Sequence, residues 1–320
     1  MDNFLRKKLT ERGYVAHASS ILQYHRCRRK WALHQLFEPE TEHKALTFGT
    51  AFHRVMELAT SEGLSKLPSE LVRSEGFELE DEEYKLLDNM YNYYLRWVAA
   101  DENSYYRNLT VLETELKFSI GGLEGRLDAV VRDEFDQYWV LDYKTRSQLQ
   151  GEAAFDTDLQ MTAYAWAAQQ LDWPVEGVIV VQFLKKAAKG LRTLKNGSYS
   201  KAKNQVVSPL IVRKQLEDLD SNELDEYAEF AFYDPDKDPY IRAVKTYRNK
   251  TNLERFGRYL KQHYKEVALI LDRYTDFLPN FTRDCTWDCP FRAVCMACED
   301  GFDWQEILEG NFKEREVSND

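Results

Sequence analysis

Asp128 and Asp142 lie fourteen positions apart, each closing an apolar run, in Gly125-Arg126-Leu127-Asp128-Ala129-Val130-Val131 and Trp139-Val140-Leu141-Asp142-Tyr143-Lys144-Thr145. Two carboxylates brought together on neighbouring strands can hold a divalent cation. Lys144, two residues beyond Asp142, points to the same face of its strand, because side chains alternate along a strand. A cation and an ammonium are the minimum equipment for phosphodiester hydrolysis: the metal neutralises phosphate charge and lowers the pKa of a water, and the ammonium holds and polarises that water. A lone strand-end aspartate is more often a turn former, and a lone strand-end lysine is often simply exposed. The conjunction carries the reading. Upstream, His53 and Glu57 sit four apart on one helical face, where the imidazole could complete the metal's shell or form a surface His–Glu pair. Downstream, Gln160 and Tyr164 are also four apart, and would either face the site or pack an ordinary amphipathic helix.

The elements that must position these residues follow from periodicity. Residues 18–36 predict a helix capped at Ser19 or Ser20 and carrying Ile21, Leu22, Tyr24, Trp31 and Leu33. A second helix begins near Thr47 and carries Phe52, His53, Val55, Met56 and Glu57; residues 79–99 predict a third. Then the period changes. Strands are expected at 111–120, 123–132 and 138–145, joined by the Gly121-Gly122 turn and a polar turn over 133–137. A helix over 158–171 and a buried strand over 177–184 follow, then an acidic surface excursion over 217–239 and a helix over 249–277. This order predicts an α/β core with a mixed sheet flanked by helices.

The chain of 320 residues is 43% hydrophobic and 30% charged, the composition of an ordinary globular protein. Its first residues lack the apolar run of a signal peptide, and no apolar stretch approaches the roughly 18 residues of a membrane span, so a cytoplasmic protein without a membrane partner is expected. The net charge of −11 is unevenly spread. Between Glu176 and Glu217 there is no acidic residue but nine basic ones, Lys195, Lys201 and Lys203 among them. Lys195-Asn196-Gly197-Ser198 marks a basic loop or a hairpin tip there, and Tyr199 could stack on a base. A second basic stretch runs from Arg242 to Lys265, opposed only by Glu254. Local fields of this kind steer polyanions, although a solvated basic face is the plain alternative for both.

Five cysteines complete the inventory: Cys27 alone near the start, and Cys285, Cys289, Cys295 and Cys298 near the end. An odd count in a cytoplasmic chain does not suggest a disulfide framework. Four thiolates suit an iron–sulfur cluster or zinc, and free thiols are the remaining alternative.

The residues of Gly49–Glu57, Gly125–Asp128, Leu141–Thr145 and Gln160–Tyr164 together resemble, in order and spacing, the motifs of the RecB-like branch of the PD-(D/E)XK nucleases. The likeness runs from about residue 18 to 184, and the cysteines extend it to 298. It implies one restriction-endonuclease-like nuclease domain over 1–320, with a helical part at 18–100, the catalytic core at 108–215 and a helical, cysteine-rich part at 240–300. It implies that His53, Asp128, Asp142 and the Tyr143 carbonyl bind Mg²⁺ or Mn²⁺, that Lys144 positions the attacking water, and that Gln160 and Tyr164 orient the DNA strand. Glu113 or Glu115 could add an outer carboxylate. The cysteines are similar to the iron–sulfur staple of CRISPR-associated RecB-like exonucleases and helicase–nuclease subunits, which implies a 4Fe–4S cluster on Cys27, Cys285, Cys289 and Cys295, tying the two ends of the chain around the core. The spacing departs from that family in having three residues between Cys285 and Cys289 rather than two, so Cys298 competes as a ligand.

The expected activity is a metal-dependent DNA exonuclease acting on single strands or DNA ends, in a bacterial cell or phage-infected host, in recombination, repair or CRISPR adaptation. A nuclease module dependent on a helicase, recombinase or CRISPR partner is the second reading. The chain has no Gly-x-x-x-x-Gly-Lys-Ser/Thr phosphate loop, so unwinding driven by ATP would come from another chain. A non-catalytic iron–sulfur DNA-binding protein is the third.

Overall fold

The structure, a computed structural model, describes residues 1–40, 44–217 and 225–315. The chain divides into two compact units, one of Met1–His43, Lys117–Arg126 and Lys250–Asp320, the other of Lys44–Leu116 and Leu127–Asn249. Strands are numbered along the chain.

In the first unit, helices Asp2–Arg12, Ala18–Arg26, Arg28–Leu36 and Lys250–Leu271 enclose a core that includes Leu5, Tyr24, Trp31, Val267, Ile270 and Phe277. Strand β1 (Phe37–Pro39) pairs antiparallel with β7 (Phe312–Glu314), the last strand. The single helix expected over 18–36 is two helices. Cys27, at φ −161° and ψ 111°, ends the first and caps the second, its sulfur accepting from the Lys30 amide at 3.4 Å. No glycine or proline announces the break, and the apolar period runs straight through it. The turn instead lifts the thiol out of the helical path.

His263 is almost fully buried in this unit, with ring centroids of Tyr24 and Tyr14 at 4.8 and 5.6 Å. Its Nε2 lies 2.7 Å from the Tyr14 hydroxyl, and its Nδ1 has no hydrogen-bond partner among the described residues. Burial, with the nearby His25 adding to it, holds its pKa down at about 4. The folded ring is therefore neutral where the unfolded one, titrating near 6.5, takes up a proton. Stability is complete above that value and falls by about 1.4 kcal/mol per pH unit between about 6.5 and 4. Denaturant titrations at pH 7 and pH 5 should show a smaller pH-dependent loss for His263→Gln than for the native chain. Equal losses would mean that His263 is not buried neutral.

A five-stranded sheet has the order β2-β3-β4-β5-β6, with β2 at Thr110–Ile120, β3 at Leu123–Arg132, β4 at Tyr138–Arg146, β5 at Val175–Leu184 and β6 at Ile241–Tyr247, all of it in the second unit except residues 117–126, which the division of the chain gives to the first. β3 and β4 are antiparallel, β4 and β5 parallel, and β5 and β6 antiparallel. A mixed sheet flanked by helices is what the sequence predicts, with four of these five strands. The Leu159–Gln170 helix makes the crossover from β4 to β5 and packs on both. Trp139, Leu141 and Tyr143 of β4 face a core shared with Phe48, Phe52 and Met56 of the Lys44–Ser61 helix and Leu87 of the Asp81–Ala99 helix. By alternation Asp142 and Lys144 point to the other face.

β6 is absent from the sequence reading, because Arg242 and Lys245 mark the segment as basic and solvated. Its buried positions are Ile241, Val244 and Thr246, while Arg242 and Lys245 are half-buried. β6 approaches β5 so closely that a Cβ on Gly177 would lie 2.1 Å from the Thr246 carbonyl oxygen, so only glycine fits there. The acidic excursion expected over 217–239 is also corrected in part. Residues 218–224 lie outside the described residues, but Tyr227 and Phe230 are buried with Leu191, Val212 and Leu216 in a small core of their own. Among the described residues no helix is long and apolar enough to cross a membrane.

Candidate active site

Asp142 sits in the middle of β4, opposite Val180 of β5, and is almost fully buried. Its Oδ1 accepts from the Lys144 ammonium at 2.9 Å, while its Oδ2 is buried with no hydrogen-bond partner among the described residues. Burial raises the pKa of Asp142 above the usual carboxylate range, the neighbouring Asp128 adds to that, and Lys144 opposes it. Burial also works against the charge on Lys144, but Asp142 foremost, then Tyr164 and Asp128, keep it firmly protonated.

Asp128 projects from β3. Its Oδ2 accepts from the Tyr143 amide at 2.8 Å and lies 3.5 Å from His53 Nδ1. Burial pushes against its charge, yet His53 and the Tyr143 amide hold its pKa below the usual value. The Lys44–Ser61 helix thus brings His53 to the two carboxylates. Glu57 does not join them, since Arg54 of the same helix pairs with it and with Glu75. The Leu159–Gln170 helix brings Tyr164 within electrostatic reach of Lys144, Asp142 and Asp128, and Gln160 Nε2 donates to the Tyr164 hydroxyl at 2.8 Å. Asp158 fixes the start of that helix by accepting from the amides of Gln160 and Met161. Glu113 is exposed on β2, and Glu115 adopts a left-handed φ of +51°.

Sequence reasoning missed the support beneath the site. The Tyr143 side chain lies on the opposite face from Asp142, its hydroxyl 3.0 Å from Thr60 Oγ1 and 3.3 Å from the Tyr106 hydroxyl, which reaches on to Tyr94. These buried hydroxyls fix the backbone between Asp142 and Lys144. The two loaded residues are therefore held from both faces. Arg248 was missed as well: its buried guanidinium donates to Thr162 Oγ1 and to the carbonyls of Phe155 and Asp158, anchoring the helix of Gln160 and Tyr164.

Of the loop and the hairpin that the sequence allows, the basic segment takes the hairpin, with Thr193 bridging Tyr199, Gly197 at φ +87° and Lys195 exposed at the tip. Lys201 pairs with Glu226, and Lys203 lies 3.1 Å from Glu229. Tyr199 packs its ring edge-on against Tyr227 rather than standing free. Residues 17–296 match the family described as the PD-(D/E)XK nuclease superfamily. The chain belongs to that superfamily. PD-(D/E)XK nucleases typically use Mg²⁺ or Mn²⁺ and act on DNA, and the α/β sheet with its helices is consistent with their core. The crystal structure of SSO0001 aligns over 87% of this chain and 95% of its own, at 12% identity and a TM-score of 0.26, a likeness too loose to carry fold or function. No curated protein matches the chain.

Among the described residues no three His, Cys, Asp or Glu side chains are closed up as a metal cage. The donors nevertheless fit the cation of a PD-(D/E)XK nuclease. A buried carboxylate oxygen without a partner, Asp142 Oδ2, is costly unless a cation or proton meets it. Asp128 adds a second hard oxygen donor beside it, of the type Mg²⁺ and Mn²⁺ favour.

In the first unit, one cavity with about 380 Å³ of empty space, part of it open to solvent, is lined by Cys27, Cys285, Cys289 and Cys295 together with Leu33, Phe281, Phe291 and Met296. Cys298 is not in its lining. The Cys27 sulfur accepts from the amides of Lys30 and Asn280, and Arg29 donates to Cys295 Sγ at 3.4 Å. Burial raises the thiol pKa of Cys289 and of Cys295, with neighbouring cysteine sulfurs adding to it.

Proposed function

We propose that this PD-(D/E)XK nuclease is a RecB-like, metal-dependent DNA exonuclease acting on single strands or frayed ends. The observation that carries the reading is the Asp142 carboxylate, one oxygen on the Lys144 ammonium and the other buried without a partner. In this reading Asp128, Asp142, His53 and the Tyr143 carbonyl hold Mg²⁺ or Mn²⁺. The cation supplies charge neutralisation at the scissile phosphate and a more acidic water. Lys144 holds the attacking water beside Asp142, and Gln160 with Tyr164 aligns the strand. Lys195, exposed at the hairpin tip, contacts phosphate, while Lys201 and Lys203 contribute less because each exchanges a carboxylate partner to do so.

The reading includes a 4Fe–4S cluster on Cys27, Cys285, Cys289 and Cys295. Their sharing of one cavity, with amide and guanidinium N–H groups directed at two of the sulfurs, supports it. Such a cluster supplies a cross-link between the first helices and the C-terminal segment, and zinc would do the same with four thiolates.

The test is digestion of linear single-stranded DNA, labelled at the 5′ or 3′ end, beside a circular strand of the same sequence in Mn²⁺. Loss of the linear strands with the circle intact is expected, and the order of label release gives the polarity. Cutting of the circle would replace the exonuclease with an endonuclease. Intact binding without any cleavage would move the assignment to a module that works only with a partner.

A further inference from the structure

Arg255, Arg258, Lys261 and Lys265 are all exposed on the Lys250–Leu271 helix and follow one another at intervals of three, three and four residues. That spacing aligns them along one side of the helix over about 15 Å. The opposite side, through Leu253, Phe256, Leu260, Val267 and Ile270, is buried. None of the four cations makes an ion pair among the described residues. The two carboxylates on the same helix are engaged elsewhere, Glu254 with Lys250, and Glu266 with Arg28 and Gln262. The contrast with the 177–216 segment is direct, since Lys185, Lys201, Lys203 and Arg213 there each face a carboxylate.

Two further observations lie beside this row. Tyr259, on the same helix, stacks on the exposed ring of His25, with centroids 5.1 Å apart and planes at 30°. His25, Arg26 and Arg28 then line an open groove with Leu278, Pro279 and Asn280. A file of uncompensated cations, an accessible aromatic pair and an open groove are the components of a surface that tracks a phosphate backbone and stacks bases without reading sequence. On a protein of net charge −11 such a face attracts polyanions locally while the remainder repels them.

We propose that this face of the first unit is a binding surface for single-stranded DNA, with the Arg255–Lys265 row on the phosphates and the His25–Tyr259 pair against a base. The choice of DNA as the polyanion rests on the nuclease reading; the surface itself rests on the first unit alone. The experiment uses the full chain with Arg255, Arg258, Lys261 and Lys265 all changed to Ala, which are exposed helical positions where alanine is well tolerated. Binding of fluorescent oligo-dT is followed by anisotropy in EDTA across a salt series. The slope of log affinity against log salt should fall by about 2–3, since each lost phosphate contact on a single strand removes about 0.7. Changing Lys195, Lys201 and Lys203 together should lower it by no more than about 1. A native slope in the four-residue variant overturns the proposal.

Hydrolysis of thymidine 5′-(p-nitrophenyl phosphate) in Mn²⁺ separates the two readings, because so small a substrate cannot reach along the row. Hydrolysis at the native rate in the four-residue variant, with the slope reduced, is the expected pair of results. Absence of hydrolysis in the native chain would count against the nuclease reading, and the salt slope would still decide the surface.

Discussion

Lys144→Ala lowers single-turnover cleavage of linear DNA by about 10²–10⁴-fold, while binding of the strand in EDTA stays within about twofold of native. The expectation follows from where the ammonium sits. It is 2.9 Å from Asp142 Oδ1, largely buried, and kept charged by Asp142, Tyr164 and Asp128 against the cost of burial. On the proposed reading, removing it takes away the donor for the attacking water, and it takes away the cation beside Asp142 that favours the ionised carboxylate. Burial already favours the neutral form of Asp142, so its carboxyl takes up a proton more readily and the site loses affinity for the divalent ion as well. Lys144→Arg should not restore the rate, because a planar fork cannot replace a compact ammonium in so closed a position. A Lys144→Ala protein that cleaves at the native rate would remove Lys144 from the chemistry.

The second large effect is expected at Cys27, the one cysteine remote in sequence from the others. If the four cysteines hold the proposed cluster, Cys27→Ser abolishes the visible charge-transfer absorption of anaerobically purified protein and lowers thermal stability by on the order of 10 °C, the scale of losing a cross-link worth several kcal/mol. Cys298→Ser leaves both unchanged, since Cys298 is outside the cavity that the other four line. Iron and zinc analysis of the same samples distinguishes the two metals: colourless protein holding zinc would replace the cluster with a zinc site. Native and Cys27→Ser proteins equally free of metal and equally stable would leave the cysteines as plain thiols.

Much of this architecture is legible in the chain because the informative residues are local. The alternation around Asp128 and Asp142 gives β3 and β4 nearly to the residue, and the four-residue spacing of Gln160 and Tyr164 puts them on one side of a helix that the structure runs past Lys144. What escapes the sequence depends on contacts between distant segments. β6 hides behind Arg242 and Lys245, and its necessity shows only when Gly177 meets Thr246. The short pairing of β1 with β7 joins residues from opposite ends of the chain, where periodicity is silent. The break at Cys27 contradicts the local helical pattern and places its side chain in the cavity lined by Cys285, Cys289 and Cys295, a contact no local pattern announces. The hydroxyls of Thr60, Tyr94 and Tyr106 behind Tyr143 read in sequence as ordinary core residues, although together they fix the backbone between the carboxylate and the lysine. The basic segments show a related limit. Composition gave the 177–216 stretch the greater promise, but composition does not see Glu226 and Glu229 returning to pair with Lys201 and Lys203.

On the proposed reading, Asp142 serves a divalent cation for phosphodiester cleavage. The most direct test of that role is a Mn²⁺ titration of cleavage on linear single-stranded DNA, with the native chain beside Asp142→Asn, each purified in parallel and checked for fold by circular dichroism. Saturable, EDTA-reversible cleavage by the native chain and none by Asp142→Asn at any Mn²⁺ concentration is the predicted result. Cleavage by Asp142→Asn with the native Mn²⁺ dependence would contradict the account, because the buried carboxylate at its centre would then be dispensable.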